Sequence, residues 1–190
     1  MSLRNKRTLP AQRALILAAL ALTVSACGFQ LRGLESTPQA LRPLALNCGS
    51  NVPSNVCREI RSQLELRQLL VREDESPAYH LRVRNYDQKR RASAITDRAA
   101  AAEFELEASI DMTLTSADDV PLLAESRLNA QEVFRGDETR VLAQEAEQQS
   151  VTDIVQDRLA QQVVQRLTPF DEDRIQRIRQ AHAQKEAEQP

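Results

Sequence analysis

The chain has 190 residues, a formal net charge of −2, no tryptophan and only 3% aromatic residues. The acidic balance argues against a general nucleic-acid-binding protein, which would show a net basic surface. The length suffices for one domain with a substantial core, and the low aromatic content predicts that this core is built from Leu, Val, Ile and Ala.

The N-terminal segment has the three parts of a secretory signal peptide. Four basic residues and no acidic residue precede an apolar run, ALILAALAL, at 14–22. This run is too short to span a bilayer, and small residues follow it directly before Cys27. We therefore expect residues 1–26 to be removed on export.

The sequence Val24-Ser25-Ala26-Cys27 resembles a lipobox, in which an aliphatic and two small residues precede the cysteine that becomes the lipidated N-terminus. The alternative is an ordinary signal peptide with an incidental cysteine. Acylation of Cys27 would anchor the protein to a membrane, because several acyl chains hold far more firmly than one. The residue after Cys27 is Gly28. An Asp at this position would resemble the signal that retains lipoproteins in the inner membrane, so we expect sorting to the outer membrane.

The other two cysteines, Cys48 and Cys57, would reach an oxidising compartment in an exported protein. The segment between them contains Gly, Pro and two Asn, so it can fold back on itself. We expect a disulfide between them, with two free thiols as the alternative. A metal site is not expected, because no His or further Cys lies nearby at ligand spacing.

Residues 27–43 are polar and interrupted by Gly and Pro, which favours a tether leading into a domain at 44–169. That domain begins with a short strand at 44–47, followed by a helix that Ser54 or Asn55 could cap. Apolar residues recur every four positions on one side of this helix and predict its buried face: Val56, Ile60 and Leu64.

Three strands are predicted next. Apolar and polar residues alternate over 79–84, and a shift near Asn85 and Tyr86 predicts a β-bulge. The alternation is strongest over 102–115, where apolar side chains occupy one face and Glu, Asp, Ser and Thr the other. A weaker alternation continues over 122–134.

A long helix is predicted at 138–167, because apolar residues recur there at spacings of three and four, and Pro169 ends it. Residues 170–190 are charged, carry no sustained apolar stripe and are predicted to form a disordered tail. This order predicts an α+β two-layer sandwich, with two helices packed on one face of a mostly antiparallel four-stranded sheet.

The sequence offers no catalytic constellation. It has two His and four Gly, and it contains no Gly-rich phosphate loop, GxSxG, HExxH or paired CxxC. Glu103, Glu105 and Glu107 follow one strand face, where solvated side chains are a better interpretation than an acid/base pair. We expect a binding or scaffolding protein rather than an enzyme, with no cofactor besides the covalent lipid.

Basic residues cluster in the strand before the acidic one. A hairpin of 79–95 and 100–115, with its tip near Asp97, would align three pairs: Arg84 with Asp111, Arg91 with Glu105, and Lys89 with Glu107. One interpretation is ion pairs across the hairpin, each contributing at most about 1 kcal/mol. The other is an anion site, since Arg suits phosphate groups. Arg98 lies near the tip without an evident partner and is the first candidate, beside Arg91 and Lys89.

The heptapeptide CGFQLRG at 27–33, directly after the lipobox, is similar to the start of LptE-family lipoproteins. The order of elements and the QRLTPF sequence that ends the last helix are also similar, so the resemblance covers roughly 27–170. It implies a non-enzymatic outer-membrane lipoprotein that faces the periplasm and the lumen of the LptD β-barrel, which it plugs and helps to assemble. It also implies lipopolysaccharide binding, to which a basic residue near the hairpin tip contributes in relatives. Arg98 falls near that place in this sequence. Arg127, on the third hairpin strand, is a further candidate.

Two other functions stay open on the sequence alone. One is an auxiliary lipoprotein of an ABC-type envelope lipid transporter, which would have partners in the inner membrane. The other is a structural envelope lipoprotein without a ligand. Loss of lipopolysaccharide binding on replacing Arg98 by Ala would argue against the latter.

Overall fold

A computed structural model describes residues 39–95, 101–135 and 141–188 of the protein. The predicted signal peptide, Cys27, the N-terminal part of the tether and Arg98 lie outside these ranges. The described elements, in chain order, are a 3-10 turn at Gln39–Leu41, β1 at Leu44–Cys48, α1 at Ser54–Leu66, β2 at Tyr79–Ile95, β3 at Ala101–Ser116, β4 at Pro121–Arg135, α2 at Val141–Gln165 and α3 at Glu172–Glu188.

The four strands form one sheet in the order β1-β2-β3-β4. β1 is parallel to β2, whereas β2, β3 and β4 are antiparallel to their neighbours. A parallel pair needs a long crossover connection, and here α1 lies in that connection. The predicted α+β class and mostly antiparallel sheet are confirmed, and α3 is a helix beyond the two expected.

One aliphatic core is shared by the sheet and the helices. The predicted buried face of α1 is confirmed, and alternate residues of β3 cover the core from the sheet side. On α2 the predicted stripe is buried except at Ile154, which is 43% exposed. Completely buried side chains come from every layer: Leu44, Ile60, Leu64, Leu81, Ile110, Met112, Leu114, Leu159 and Val163.

A disulfide joins β1 to α1. The Sγ atoms of Cys48 and Cys57 lie 2.00 Å apart, and their Cα atoms are 6.2 Å apart. A bond that closes a loop of about ten residues stabilises a fold by roughly 2–3 kcal/mol in the chain-entropy model. The bond thus ties one edge strand of the sheet to the helix that covers it.

The start of α1 differs from the sequence prediction. Pro53, rather than Ser54 or Asn55, occupies the N-cap position, and no side-chain hydrogen bond caps the helix. The Asn55 amide instead donates to the side-chain oxygen of Gln156 in α2, and the Gln156 amide donates to the hydroxyl of Tyr86 at 3.0 Å. This half-buried polar chain connects α1, α2 and β2, and burial raises the pKa of the Tyr86 phenol.

The outer edge of β4 is covered by side chains of α2. Arg158 donates to the backbone oxygen of Gln131 at 2.8 Å, and Gln162 donates to that of Asn129 at 3.0 Å. Unpaired strand edges are templates for unwanted strand addition, so these contacts protect the sheet. None of the described helices combines the length and the apolar character needed to span a bilayer.

The structure extends the domain at its N-terminal side. Leu41, which the sequence prediction assigns to the tether, is completely buried in the core. The 3-10 turn that contains it is held by a hydrogen bond from the Arg42 amide to the Gln39 carbonyl at 3.0 Å. Pro38 and Pro43 leave no sustained helix or strand pattern around Leu41, so the sequence pattern could not reveal its burial.

The structure also differs from the sequence prediction at the C-terminus, where Glu172–Glu188 is helical rather than disordered. The Asp171 carboxylate accepts a hydrogen bond from the backbone N–H of Arg174 at 2.7 Å and so caps α3. Phe170 and Ile175 are 2% and 4% exposed and anchor the start of the helix. Two apolar anchors do not make a stripe, which is why the periodicity did not predict this helix.

Candidate functional site

The side of the sheet that faces away from the helices carries the charged residues of the hairpins. We call it the polar sheet face. It is produced by the two-residue period of β3, which turns Asp111 away from the core while Ile110 and Met112 enter it. Its central members are Arg84, Asp87, Lys89 and Arg91 of β2, Glu105, Glu107, Ser109 and Asp111 of β3, and Glu125, Arg127 and Asn129 of β4.

The predicted register between β2 and β3 is confirmed. Arg84 is aligned with Asp111, Lys89 with Glu107, and Arg91 with Glu105. The predicted bulge is confirmed as well, because the register shifts between Arg84 and Asp87, and Asn85 has a φ of 56°.

The ion pairs follow this register only in part. The Arg91 Nε atom lies 3.0 Å from a carboxylate oxygen of Glu105, as the alignment implies. Arg84 instead crosses β3 to contact Glu125, and Lys89 contacts Asp87 on its own strand at 2.7 Å. Long side chains on one sheet face reach diagonal neighbours as well as aligned ones, so alignment alone does not fix the partner.

Asp111 is the centre of the polar sheet face and is only 3% exposed. Arg127 binds it in a bidentate manner, with Nε–Oδ1 at 2.8 Å and Nη2–Oδ2 at 3.2 Å. Asn85, at the bulge, donates to Oδ2 at 2.9 Å. These hydrogen bonds, first those from Arg127, lower the pKa of Asp111, although burial opposes them.

Two irregularities in the β3–β4 hairpin create this pair. Thr115 is aligned with Pro121 near the turn, and an unbroken register from there would place Glu125 opposite Asp111. The observed shifts lie between Met112 and Thr115, and they place Arg127 opposite Asp111 instead. The shifts therefore replace a repulsive like-charge alignment by an attractive one.

A small cleft of about 120 Å³ opens beside this pair. Lys89 of β2 and Arg127 of β4 reach it from either side of β3. The hydrogen bond to Asp87 raises the pKa of the Lys89 ammonium. The remaining lining residues are Asp87, Glu107, Ser109 and Asn129.

Two cationic side chains, Lys89 and Arg127, and two carboxylates, Asp87 and Glu107, line this cleft. Lys89 and Arg127 supply positive charge for phosphate oxygens. Carboxylate and amide groups bind the hydroxyl groups of a sugar ring. Of the residues that the structure describes, no three His, Cys, Asp or Glu side chains are grouped to hold a metal ion.

The structure thus brings two of the four predicted basic candidates to one cleft. Arg91 lies further along β2 towards the hairpin tip, paired with Glu105. Arg98 lies outside the described residues. Asn85 was not predicted to contact the central carboxylate, although the predicted bulge is the signal that marks its position.

Comparison with known proteins identifies one family. The profile of LptE, described as lipopolysaccharide-assembly, matches residues 41–167. The LPS-assembly lipoprotein LptE of Yersinia enterocolitica is 28% identical over 159 residues, which cover 80% of this chain and 73% of that protein. The LPS-assembly lipoprotein LptE of Photorhabdus laumondii is 25% identical over 178 residues, covering 92% of this chain and 95% of that protein.

Solved structures share the fold. The rare lipoprotein B of Shewanella oneidensis matches with a TM-score of 0.58 at 16% identity, over 67% of this chain and 94% of that one. A minor lipoprotein of Acinetobacter baumannii matches with a TM-score of 0.57 at 18% identity, over 70% of this chain and 94% of that one.

Proposed function

Because the chain belongs to the LptE lipopolysaccharide-assembly family, we propose that it binds lipopolysaccharide through the polar sheet face and plugs an LptD-type barrel. The family's role is non-enzymatic, and the proposed function breaks no bond. The observation that carries the lipopolysaccharide part is the position of Lys89 and Arg127 on one cleft with mixed polar lining.

The Arg127 guanidinium has N–H donors available for a second anionic partner. Asp111 takes two of its N–H donors, and a guanidinium has five, so three stay available. The Arg127 side chain is 59% exposed even though its carboxylate partner is buried. The ion pair therefore fixes the orientation of the guanidinium without hiding it, which lowers the entropy cost of gripping a phosphate.

Lys89 contributes in a different way. Its partner Asp87 is on the surface, and exposed pairs of this kind are weak. A phosphate group on lipid A or on a core sugar competes with Asp87 for the ammonium group, while the Asp87 carboxylate is freed to accept sugar hydroxyls. A ligand that extends towards the hairpin tip, where the sequence predicts Arg98, would compete with Glu105 for Arg91 in the same way.

Titration of purified lipopolysaccharide against the full chain in detergent tests this site. We expect Lys89→Gln to weaken binding about tenfold, the effect of losing one charge-assisted hydrogen bond. Arg82→Gln is the matched control, because Arg82 lies on the same strand and the same face but outside the cleft. Equal losses in both variants would mean general charge attraction and would contradict the proposal.

A second variant separates geometry from charge. Arg127→Lys keeps the positive charge but loses the bidentate fork, so we expect weaker binding of lipopolysaccharide. Dephosphorylated lipopolysaccharide should bind wild type and this variant equally. If the variant binds intact lipopolysaccharide as tightly as wild type does, the oriented guanidinium has no role.

The barrel partnership rests on the match of polar surfaces. Lumens of outer-membrane barrels are polar, and the polar sheet face offers charges of both signs along its strands. A photo-reactive amino acid at Thr113, on this face, should form cross-links to the barrel in cells. A reactive group at Arg58, on the exposed side of α1, provides the comparison, and cross-linking from neither position would contradict the proposal.

The membrane anchor belongs to the same proposal. We expect acylated Cys27 to hold the protein in the outer membrane, facing the periplasm and the barrel lumen. Cys27→Ser should yield an unprocessed precursor that no longer fractionates with the outer membrane. Normal processing and fractionation of that variant would exclude lipidation at this sulfur.

A further inference from the structure

A second basic region lies at the β1 edge of the sheet, away from the polar sheet face. It is a cavity of about 360 Å³ whose lining includes three arginines, and we call it the arginine pocket. Its other lining residues are Glu65, Gln68 and the apolar residues at 70–71. The three arginines are Arg42, Arg61 and Arg72.

One wall of the pocket is a face of α1. Arg61 and Glu65 are four residues apart near the end of α1, so they lie on one side of the helix, and Gln68 follows just after the helix ends. The helix ends in a Schellman arrangement, in which Leu69 donates its N–H to the Leu64 carbonyl at 3.0 Å. Gln68 has a φ of 56° there, the left-handed conformation that glycine usually adopts in this motif.

The opposite wall is fixed by backbone pairing to β1. Leu44 donates to the carbonyl of Leu69 at 2.9 Å and accepts from the N–H of Val71 at 3.0 Å. Arg42 precedes Leu44 by two residues, and Arg72 follows Val71 directly, so both arginines flank this paired site. These hydrogen bonds fix the backbone positions from which Arg42 and Arg72 extend.

The lining of the arginine pocket carries more positive than negative side chains. Glu65 is the one acidic residue among three guanidinium groups in the lining. Within the described ranges, no carboxylate forms an ion pair with Arg42, Arg61 or Arg72. Three arginines that line one cavity with a single carboxylate can form a site for an anion with several oxygen acceptors.

We propose that the arginine pocket binds the phosphate group of a small phosphate ester. A cavity of about 360 Å³ exceeds the size of a phosphate ion and lies at the lower end of small-molecule sites. Leu70 and Val71 supply apolar contact for the organic part of the ligand. This site is separate from the cleft lined by Lys89 and Arg127, and its ligand is either a soluble phosphate ester or an anionic lipid headgroup.

Calorimetric titration of the full chain in detergent tests the pocket with two probes. The first probe is sn-glycerol 3-phosphate, and the second is dihexanoylphosphatidylglycerol below its micelle-forming concentration. Binding of the first probe alone identifies a site for a soluble phosphate ester, binding of the second alone identifies a lipid headgroup site, and binding of both indicates a site for phosphate esters in general. Each of these results supports the proposal, and binding of neither at millimolar concentration overturns it.

Matched variants assign the binding to the pocket. Arg61→Gln with Arg72→Gln should weaken binding at least about tenfold, as expected for lost charge-assisted hydrogen bonds. Arg58→Gln with Arg177→Gln removes the same charge from exposed positions outside the lining and should leave binding within about twofold. Equal weakening in the two double variants would overturn the assignment.

Both double variants change exposed side chains, so both should fold, and their melting temperatures confirm that the comparison is valid. Lipopolysaccharide titration of the pocket variant separates this inference from the proposed function. Loss of glycerol phosphate binding with intact lipopolysaccharide binding shows two independent sites. Equal loss of glycerol phosphate binding and lipopolysaccharide binding would mean that both ligands use one site, which would contradict a separate pocket.

Discussion

Ile110 and Asp111 are consecutive residues of β3 and are both almost completely buried, at 0% and 3% exposure, but they lie on opposite faces of the sheet. Ile110 is covered by the helices, and its burial stabilises the fold because apolar surface leaves water. Asp111 is covered by Arg127 and Asn85, and its burial is tolerated because both donors bind it. One face thus holds the domain together, while the other holds charged groups in fixed positions.

The largest loss of stability is expected when a side chain on the core face of the sheet is truncated. Ile110→Ala is expected to lower the free energy of unfolding by about 3 kcal/mol, because it removes buried methyl groups and leaves a cavity. Urea unfolding monitored by circular dichroism measures this change. A loss below about 1 kcal/mol would show that the sheet face covered by the helices contributes much less to stability than its burial implies.

Removal of the disulfide should have the next largest effect. Cys48→Ser with Cys57→Ser releases the link between β1 and α1, and we expect a loss of about 2–3 kcal/mol. Urea unfolding with and without a reductant tests this. Wild type in reductant should match the double variant, and a reductant effect on the double variant itself would point to another cause.

On the polar sheet face, Asp111→Asn is expected to cost about 1–2 kcal/mol at pH 7, because it weakens a charge-assisted pair but leaves a hydrogen-bonding group. The folded-state pKa of Asp111 is lowered, so its stabilising contribution is present above the unfolded pKa, near 4, and is lost as pH falls through the folded pKa. Unfolding curves of the two proteins should therefore converge in acid. A constant difference from pH 7 to pH 3 would contradict this linkage.

The smallest stability effect is expected for Lys89→Gln, whose side chain is 75% exposed and pairs only with surface Asp87. Its melting temperature should stay within about 1 °C of that of wild type. The same change is expected to weaken lipopolysaccharide binding, so this variant separates function from stability. A clear loss of stability would mean that the cleft has a structural role.

The sequence predicted the elements whose pattern is long and regular. The alternation of β3 identifies the central strand, and it also fixes which side is polar because the period of a strand is two. The bulge at Asn85 and the alignment of Arg91 with Glu105 followed from the same pattern. These features are local, and one strand pair is enough to define them.

The central pair of the candidate site could not be predicted in the same way. Arg127 meets Asp111 only because two register shifts occur in the β3–β4 hairpin, and the alternation there is too weak to show them. The arginine pocket also has no sequence signal, because Gln68 occupies a helix-ending position where glycine is the usual mark. Anchors such as Leu41 and Ile175 belong to no sustained apolar stripe, so periodicity does not reveal them.

Affinity purification of the tagged full chain from solubilised outer membranes tests the central proposal most directly. The account predicts that one large β-barrel of the LptD type, identified by its mass, is recovered with the wild-type protein, together with lipopolysaccharide. Recovery of the protein in full amount with no barrel bound, or with inner-membrane transporter subunits in its place, would contradict it.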